Sequence, residues 1–216
     1  MQLTALLLAL SEGMVTSVTI FCLTLLGSLP LGFLVAFCRM AKNPLINIPT
    51  RIYISIMRGT PLMLQLMFIY FAPYYIFHLQ LSPGYRFGAV MIAFIINYAA
   101  YWAEIYRSGF AAISPGQYEA AAVLGYTRIQ TFVRIIFPQF LKHILPPLTN
   151  EVITLVKDTS LSFVLSVSEM FTVAKAIAAA QKTMDAFIAA GVFYYIFNAI
   201  VAWVMELIEK RLAYFR

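Results

Sequence analysis

Glu119-Ala120-Ala121-Ala122-Val123-Leu124-Gly125, followed after nine further residues by Ile135-Ile136-Phe137-Pro138, is a polar and amphipathic island in a chain that is otherwise mostly hydrocarbon. Ser114-Pro115-Gly116-Gln117 immediately before it has the chemistry of a helix start. Ser114 can cap, Pro115 suits the first helical position, and Gln117 can complete a capping box. The alanines favour helix while adding little bulk, and Gly125 is a natural C-terminal stop. Thr127-Arg128-Ile129-Gln130 repeats the cap signal at once. In the second helix Ile129, Phe132, Val133 and Ile136 form one apolar stripe, with Arg128 and Arg134 off it, and Pro138 is expected to end it. The expectation is two short helices meeting at Gly125, with Glu119 offering a charge to a basic surface.

The surroundings of this island are not those of a soluble protein. Of 216 residues, 62% are hydrophobic and only 11% charged, with a mean hydropathy of +0.84, where a soluble domain carries about a quarter charged residues. The net charge of +6 is spread between apolar blocks rather than along one face, which argues against nucleic acid as a partner. Cys22 and Cys38 show no metal-ligand or redox spacing and read as reduced packing residues; no metal site is expected. No Lys or Arg precedes Arg39, so no cleavable signal is expected.

A spanning helix needs about 20 mainly apolar residues. Five segments answer to this, roughly 14–37, 61–77, 87–106, 139–156 and 186–207. The second is short and carries Pro73. The fourth contains Pro146-Pro147, which remove two backbone donors and should kink or interrupt it. Residues 1–12 are too short to span and read as a surface helix. Arg39, Lys42, Arg51, Arg58, Arg107, Arg128, Arg134, Lys142, Lys210, Arg211 and Arg216 fall on one side of a five-span arrangement, against Arg86, Lys157, Lys175 and Lys182 on the other. The positive-inside rule then puts the N-terminus outside, and the C-terminus and the 114–138 loop in the cytoplasm. The expected fold class is therefore all-α integral membrane, a single transmembrane domain over 1–216.

Three further stretches complete a pattern. These are Arg58-Gly59-Thr60-Pro61-Leu62 at the entry of the second span, Ala100-Tyr101-Trp102-Ala103-Glu104-Ile105-Tyr106-Arg107 ending the third, and Lys157-Asp158-Thr159-Ser160-Leu161 after the fourth. With the Glu-Ala-Ala loop they occur in order over nearly the whole chain, which resembles the permease subunit of a polar amino acid type I ABC importer, of the histidine, arginine and glutamine permease kind. Phe137 stands where that loop usually has Leu, and Ser108 where Gly is common. The resemblance implies the type I importer permease fold in a bacterial cytoplasmic membrane. It makes 114–138 the coupling loop, with Glu119, Ala120, Ala121, Gly125 and Arg128 docking to an ATPase. It also implies two ATPase subunits, a second permease subunit (identical or homologous), an external solute-binding protein and an amino acid substrate. No Gly-x-x-x-x-Gly-Lys-[Ser/Thr] occurs, so this chain holds no ATP by that route. No cofactor is expected in it; ATP and Mg belong to the partner ATPase.

Polar side chains at membrane depth are functional candidates. Asn97 and Tyr98 fall near the middle of the third span, Asn150 and Glu151 near the middle of the fourth, and Asp158, Thr159 and Ser160 follow outward. A zwitterion needs donors for its carboxylate, which Thr159, Ser160 and Asn97 can supply, and acceptors for its ammonium, which Asp158 and Glu151 can supply. The acids suggest a basic amino acid such as arginine, lysine or histidine. Glu104 and Arg107 are spaced for a helix-surface ion pair, Lys157 could neutralise Glu151 or Asp158, and Gln65 reads as packing glue. The alternative is a secondary transporter or channel without an ATPase, but such folds show internal repeats and none is visible here. No catalytic residue is expected, because no Gly-x-Ser-x-Gly, His-Glu-x-x-His or Cys-His arrangement suggests an enzyme.

Overall fold

A computed structural model describes residues 3–82 and 84–212, and every regular element among them is helical. The first, α1 (Leu3–Met40), is one unbroken helix. This corrects the separate surface helix expected for residues 1–12. Leu6 and Leu10 are buried in a cluster with Met170, Ala174, Ala186 and Ala190. Gly13 does not stop the helix, because its bare Cα is what lets another backbone approach: a Cβ there would lie 2.8 Å from the Cα of Met170.

Further along α1, Ser17, Ile20, Thr24, Ser28, Gly32 and Ala36 recur every third or fourth residue and are all buried. Small residues on one stripe let helices close up where lipid offers no hydrophobic drive. The stripe faces α4 (Tyr85–Ala111), and the two form the most extensive helix pair of the fold. A Cβ on Gly32 would sit 2.5 Å from the Cβ of Trp102, whose indole N–H donates to Ser28 Oγ at 2.7 Å. Cys22 and Cys38 lie off this stripe, free and exposed, not in the packed positions expected of them.

The basic segment after α1 is itself a helix, α2 (Pro44–Gly59), which the sequence reading passed over as a connection. Asn43 caps it, accepting from Leu45 N at 2.9 Å. The chain then turns by 113° into α3 (Leu62–Phe77). The Thr60-Pro61 step is extended, as the residue before a proline prefers.

After α4 come α5 (Pro115–Val123), α6 (Arg128–Thr131), a π-helical turn (Phe132–Ile136) and α7 (Phe137–Asp158). The last three are continuous, so Pro138 does not end the helix; it lies directly after the π-helical turn, within the first turn of α7. Pro146-Pro147 do not interrupt α7 either. In an unbroken α-helix their N–H groups would have served the carbonyls of Lys142 and His143, both at exposed positions. The break comes later, as a 3-10 segment over Thr159–Leu165. Thr159, Ser160 and Ser162 each donate a hydroxyl to the carbonyl three residues back, at 2.7–2.8 Å, and this local bonding competes with the α-helical ladder.

Two elements close the fold, α8 (Met170–Gln181), not foreseen, and α9 (Asp185–Leu212), the fifth expected span. The start of α8 is fixed by Glu169, which is fully buried. Its carboxylate accepts from Phe171 N and Thr172 N, both at 2.7 Å, from Thr172 Oγ1 at 2.9 Å, from Tyr194 Oη on α9 at 3.0 Å and from Ser17 Oγ on α1 at 3.3 Å. Among the described residues α1, α4 and α9 are each long and apolar enough to cross a membrane. The α2–α3 pair, and 128–165 with α8 (bent by 58°), qualify only as broken pairs.

Candidate functional site

Three segments that are distant in sequence enclose a cavity of about 360 Å³. From α4 come Asn97, Tyr98 and Tyr101; from the α2–α3 turn, Thr60, Pro61 and Leu62; from α7 and its end, Glu151, Thr154, Asp158 and Leu161. Glu151, Thr154 and Asp158 are spaced by three and four, so a straight helix puts them on one face.

Tyr98 is buried in a ring stack, parallel to Phe94 and tilted against Trp102, and its hydroxyl donates to Asp158 Oδ2 at 2.8 Å. Asp158 is thereby aimed from the end of α7 toward α4. Asn97 lines the same space, but its amide group is committed, donating to Met57 O at 3.1 Å and to Gln65 Oε1 at 2.8 Å. It cannot offer that amide to a ligand carboxylate, the role expected of it.

Of the seven residues named from sequence for this site, Asn97, Tyr98, Glu151 and Asp158 stand together around the cavity. Asn150 is exposed and outside its lining. Thr159 is fully buried with its hydroxyl bonded to Val156 O, and Ser160 bonds Lys157 O, so both shape the 3-10 segment instead of facing the space. Thr60, Tyr101 and Thr154 were not named. The first two lay inside quoted stretches, and helical spacing from Glu151 would have found the third. Among the described residues no ion pair joins Lys157 to Glu151 or Asp158.

A second space of about 290 Å³ shares Tyr101 and Glu151 with the first and adds Arg58, Glu104 and Arg107. Glu104 pairs with Arg107 at 2.8 Å, as its spacing suggested, and also with Arg39 of α1 at 3.3 Å. The Arg58 guanidinium lies over the Tyr101 ring, 5.3 Å from its centroid. The two spaces together form a polar track with carboxylates along it and guanidinium groups at one end.

The 114–138 loop is the opposite kind of surface. Ser114 caps α5 by accepting from Gly116 N at 3.3 Å. Gln117 does not complete a capping box there; its side chain accepts from Gln139 Nε2 instead. The box forms in full at the second helix, where Thr127 Oγ1 accepts from Gln130 N and Gln130 Oε1 from Thr127 N. Gly125 has φ +72°, the left-handed conformation that lets α5 stop and the chain reverse. Of the loop residues named from sequence, Glu119, Ala120, Gly125 and Arg128 are exposed. Ala121 is fully buried and serves the loop's own packing. The outward residues Val123 (88% exposed), Leu124 (71%) and Ile129 (77%) were not among those assigned to docking. The expected stripe is also broken up, because the π turn carries Ile136 inward while Ile129 stays outside.

Residues 28–214 match the family described as "Binding-protein-dependent transport system inner membrane component". The chain belongs to this family. It is a permease, a transport subunit rather than an enzyme, and the resemblance drawn from its four sequence stretches is borne out. It is 35% identical to the glutamine transport system permease protein GlnP of Escherichia coli (strain K12) over 205 residues, 94% of this chain and 92% of that one. It is 37% identical to the octopine transport system permease protein OccM of Rhizobium radiobacter over 185 residues, 83% and 76% of the two chains. A crystal structure of an amino acid ABC transporter with histidines superposes with a TM-score of 0.84 at 29% identity, covering 94% of both chains. The MetNI methionine ABC transporter in an inward-facing form shares the fold alone, with a TM-score of 0.70 at 15% identity.

Proposed function

We propose that this permease is the membrane subunit of an ATP-driven amino acid importer of the bacterial inner membrane. It crosses five times with its N-terminus outside and docks to a separate ATPase through the 114–138 loop. The observation that carries the docking role is the exposure of Val123, Leu124 and Ile129 beside Glu119 and Arg128. Apolar side chains set among charges fit a protein surface better than lipid, and the eleven basic residues on the loop's side of the chain support a cytoplasmic location for it. The full assembly comprises two such subunits, identical or homologous, two ATPases and an external binding protein. Purification of the chain with an ATPase encoded alongside it tests this reading. ATP-independent uptake by the permease alone would overturn it in favour of a secondary transporter.

The cavity between α3, α4 and α7 is the substrate site, and its chemistry suits a basic amino acid. Glu151 and Asp158 line it, and Arg58, over the ring of the shared Tyr101, brings a guanidinium to the adjoining space. One carboxylate can take the α-ammonium, Arg58 can take the α-carboxylate, and the remaining acid is left for a cationic side chain. Substrate-stimulated ATP hydrolysis, compared for arginine, glutamine and glutamate, tests the assignment. Preference for arginine is expected, and a preference for glutamate would remove it.

A further inference from the structure

We propose that Gln65 is the positioning residue of this cavity, setting substrate preference through Thr60 and Asn97 without touching the substrate. Gln65 sits in the first turn of α3, is nearly fully buried and is absent from the cavity lining. Its Nε2 lies 2.9 Å from Met57 O, 3.1 Å from Thr60 O and 2.8 Å from Thr60 Oγ1, three acceptors that share its two hydrogens. Its Oε1 accepts from Asn97 Nδ2 at 2.8 Å, and Asn97 bonds Met57 O as well.

The carbonyls of Met57 and Thr60 lie at the end of α2, where the helix stops and the chain turns by 113°. Such carbonyls have no intrahelical donor, and in an apolar setting each unmet polar group costs free energy. Gln65 and Asn97 meet that need with side chains, and so lock three elements into one geometry. That geometry fixes where Thr60 enters the cavity wall and where Arg58, two residues earlier, stands over Tyr101 beside Glu151. Packing glue would need only one of these bonds. Here every polar atom of one side chain is directed to a residue of the cavity wall or of the turn that builds it.

The inference rests on the cavity being the substrate site, and the experiment separates the two. Uptake by the reconstituted transporter is measured with arginine and with glutamine for Gln65→Leu, Gln65→Glu, the neighbouring exposed control Leu64→Ala, and Asp158→Asn. Gln65→Leu is expected to raise KM and to shift the arginine-to-glutamine ratio about tenfold, the size of one lost buried polar contact. Gln65→Glu keeps the acceptor for Asn97 and is expected to fall between, while Leu64→Ala keeps the wild-type ratio. A Gln65→Leu protein whose KM rises equally for both substrates, or whose ratio stays within about twofold of wild type, overturns the proposal, since a merely structural loss moves both alike. If that variant fails to insert, an unchanged ratio in Gln65→Glu overturns it equally. Uptake untouched by Asp158→Asn would remove the cavity reading itself; uptake altered there but not in the Gln65 variants removes only the role of Gln65.

Discussion

The 115–136 loop shows apolar side chains to the outside, whereas the cavity between α3, α4 and α7 keeps polar ones within. In the loop, local devices do the folding: the Thr127–Gln130 box, the Ser114 cap and the left-handed Gly125 hold two short helices with only Ala121, Thr131 and Ile136 tucked under. In the cavity the walls are joined by long-range contacts. Tyr98 reaches Asp158 across sixty positions of sequence, and Gln65 reaches Asn97 across thirty-two. A surface built locally can change its contacts and still fold, while a site built from distant segments fails when its walls move.

Substitutions can break or sharpen that contrast. Gly109→Val, where α4 meets α7, should act hardest, because a Cβ there would lie 2.3 Å from Ile144 Cγ2. Overpacking of this kind costs about 3 kcal/mol, and most folded protein should be lost on size-exclusion chromatography. Glu119→Arg should leave insertion and folding intact but weaken ATPase retention on purification by about 2 kcal/mol, in the range of an interfacial charge contact; retention at the wild-type level would count heavily against a docking loop. Asp158→Asn should cut the preference for arginine over glutamine about tenfold, equivalent to about 1.4 kcal/mol, and competition uptake assays would read it. The smallest effect is expected from Thr127→Ala, which loses a cap worth about 1 kcal/mol. Uptake should fall a few-fold while the thermal midpoint of the whole protein scarcely moves.

What could be read from the sequence follows the same division. Caps, Gly125 and charge asymmetry act over a few residues or by simple count, so the loop's two-helix form is legible in its sequence. The cavity was half visible. Glu151 and Asp158 announce themselves as acids in apolar surroundings, but Thr159 and Ser160 were misplaced because their hydroxyls turn back onto their own helix. Pro146-Pro147 looked like a break, yet the break came at 159–165, where side-chain hydroxyls compete with the backbone ladder. The α8 helix was missed because its organising residue, Glu169, draws two of its five donors from α1 and α9.

Glu169 also has a consequence for how negative charge is shared out in this chain. Nine acids are present in all. Glu104 is held between two arginines, Glu206 pairs with Lys210, Glu209 accepts from Thr149, and Glu169 is surrounded by five donors. Glu12, Glu119 and Asp185 are exposed, away from the cavity walls. Glu151 and Asp158 are the two acids on the cavity wall, with Asp158 accepting from Tyr98 alone among the described residues, whereas Glu169 spends its charge on five donors that join α1, α8 and α9.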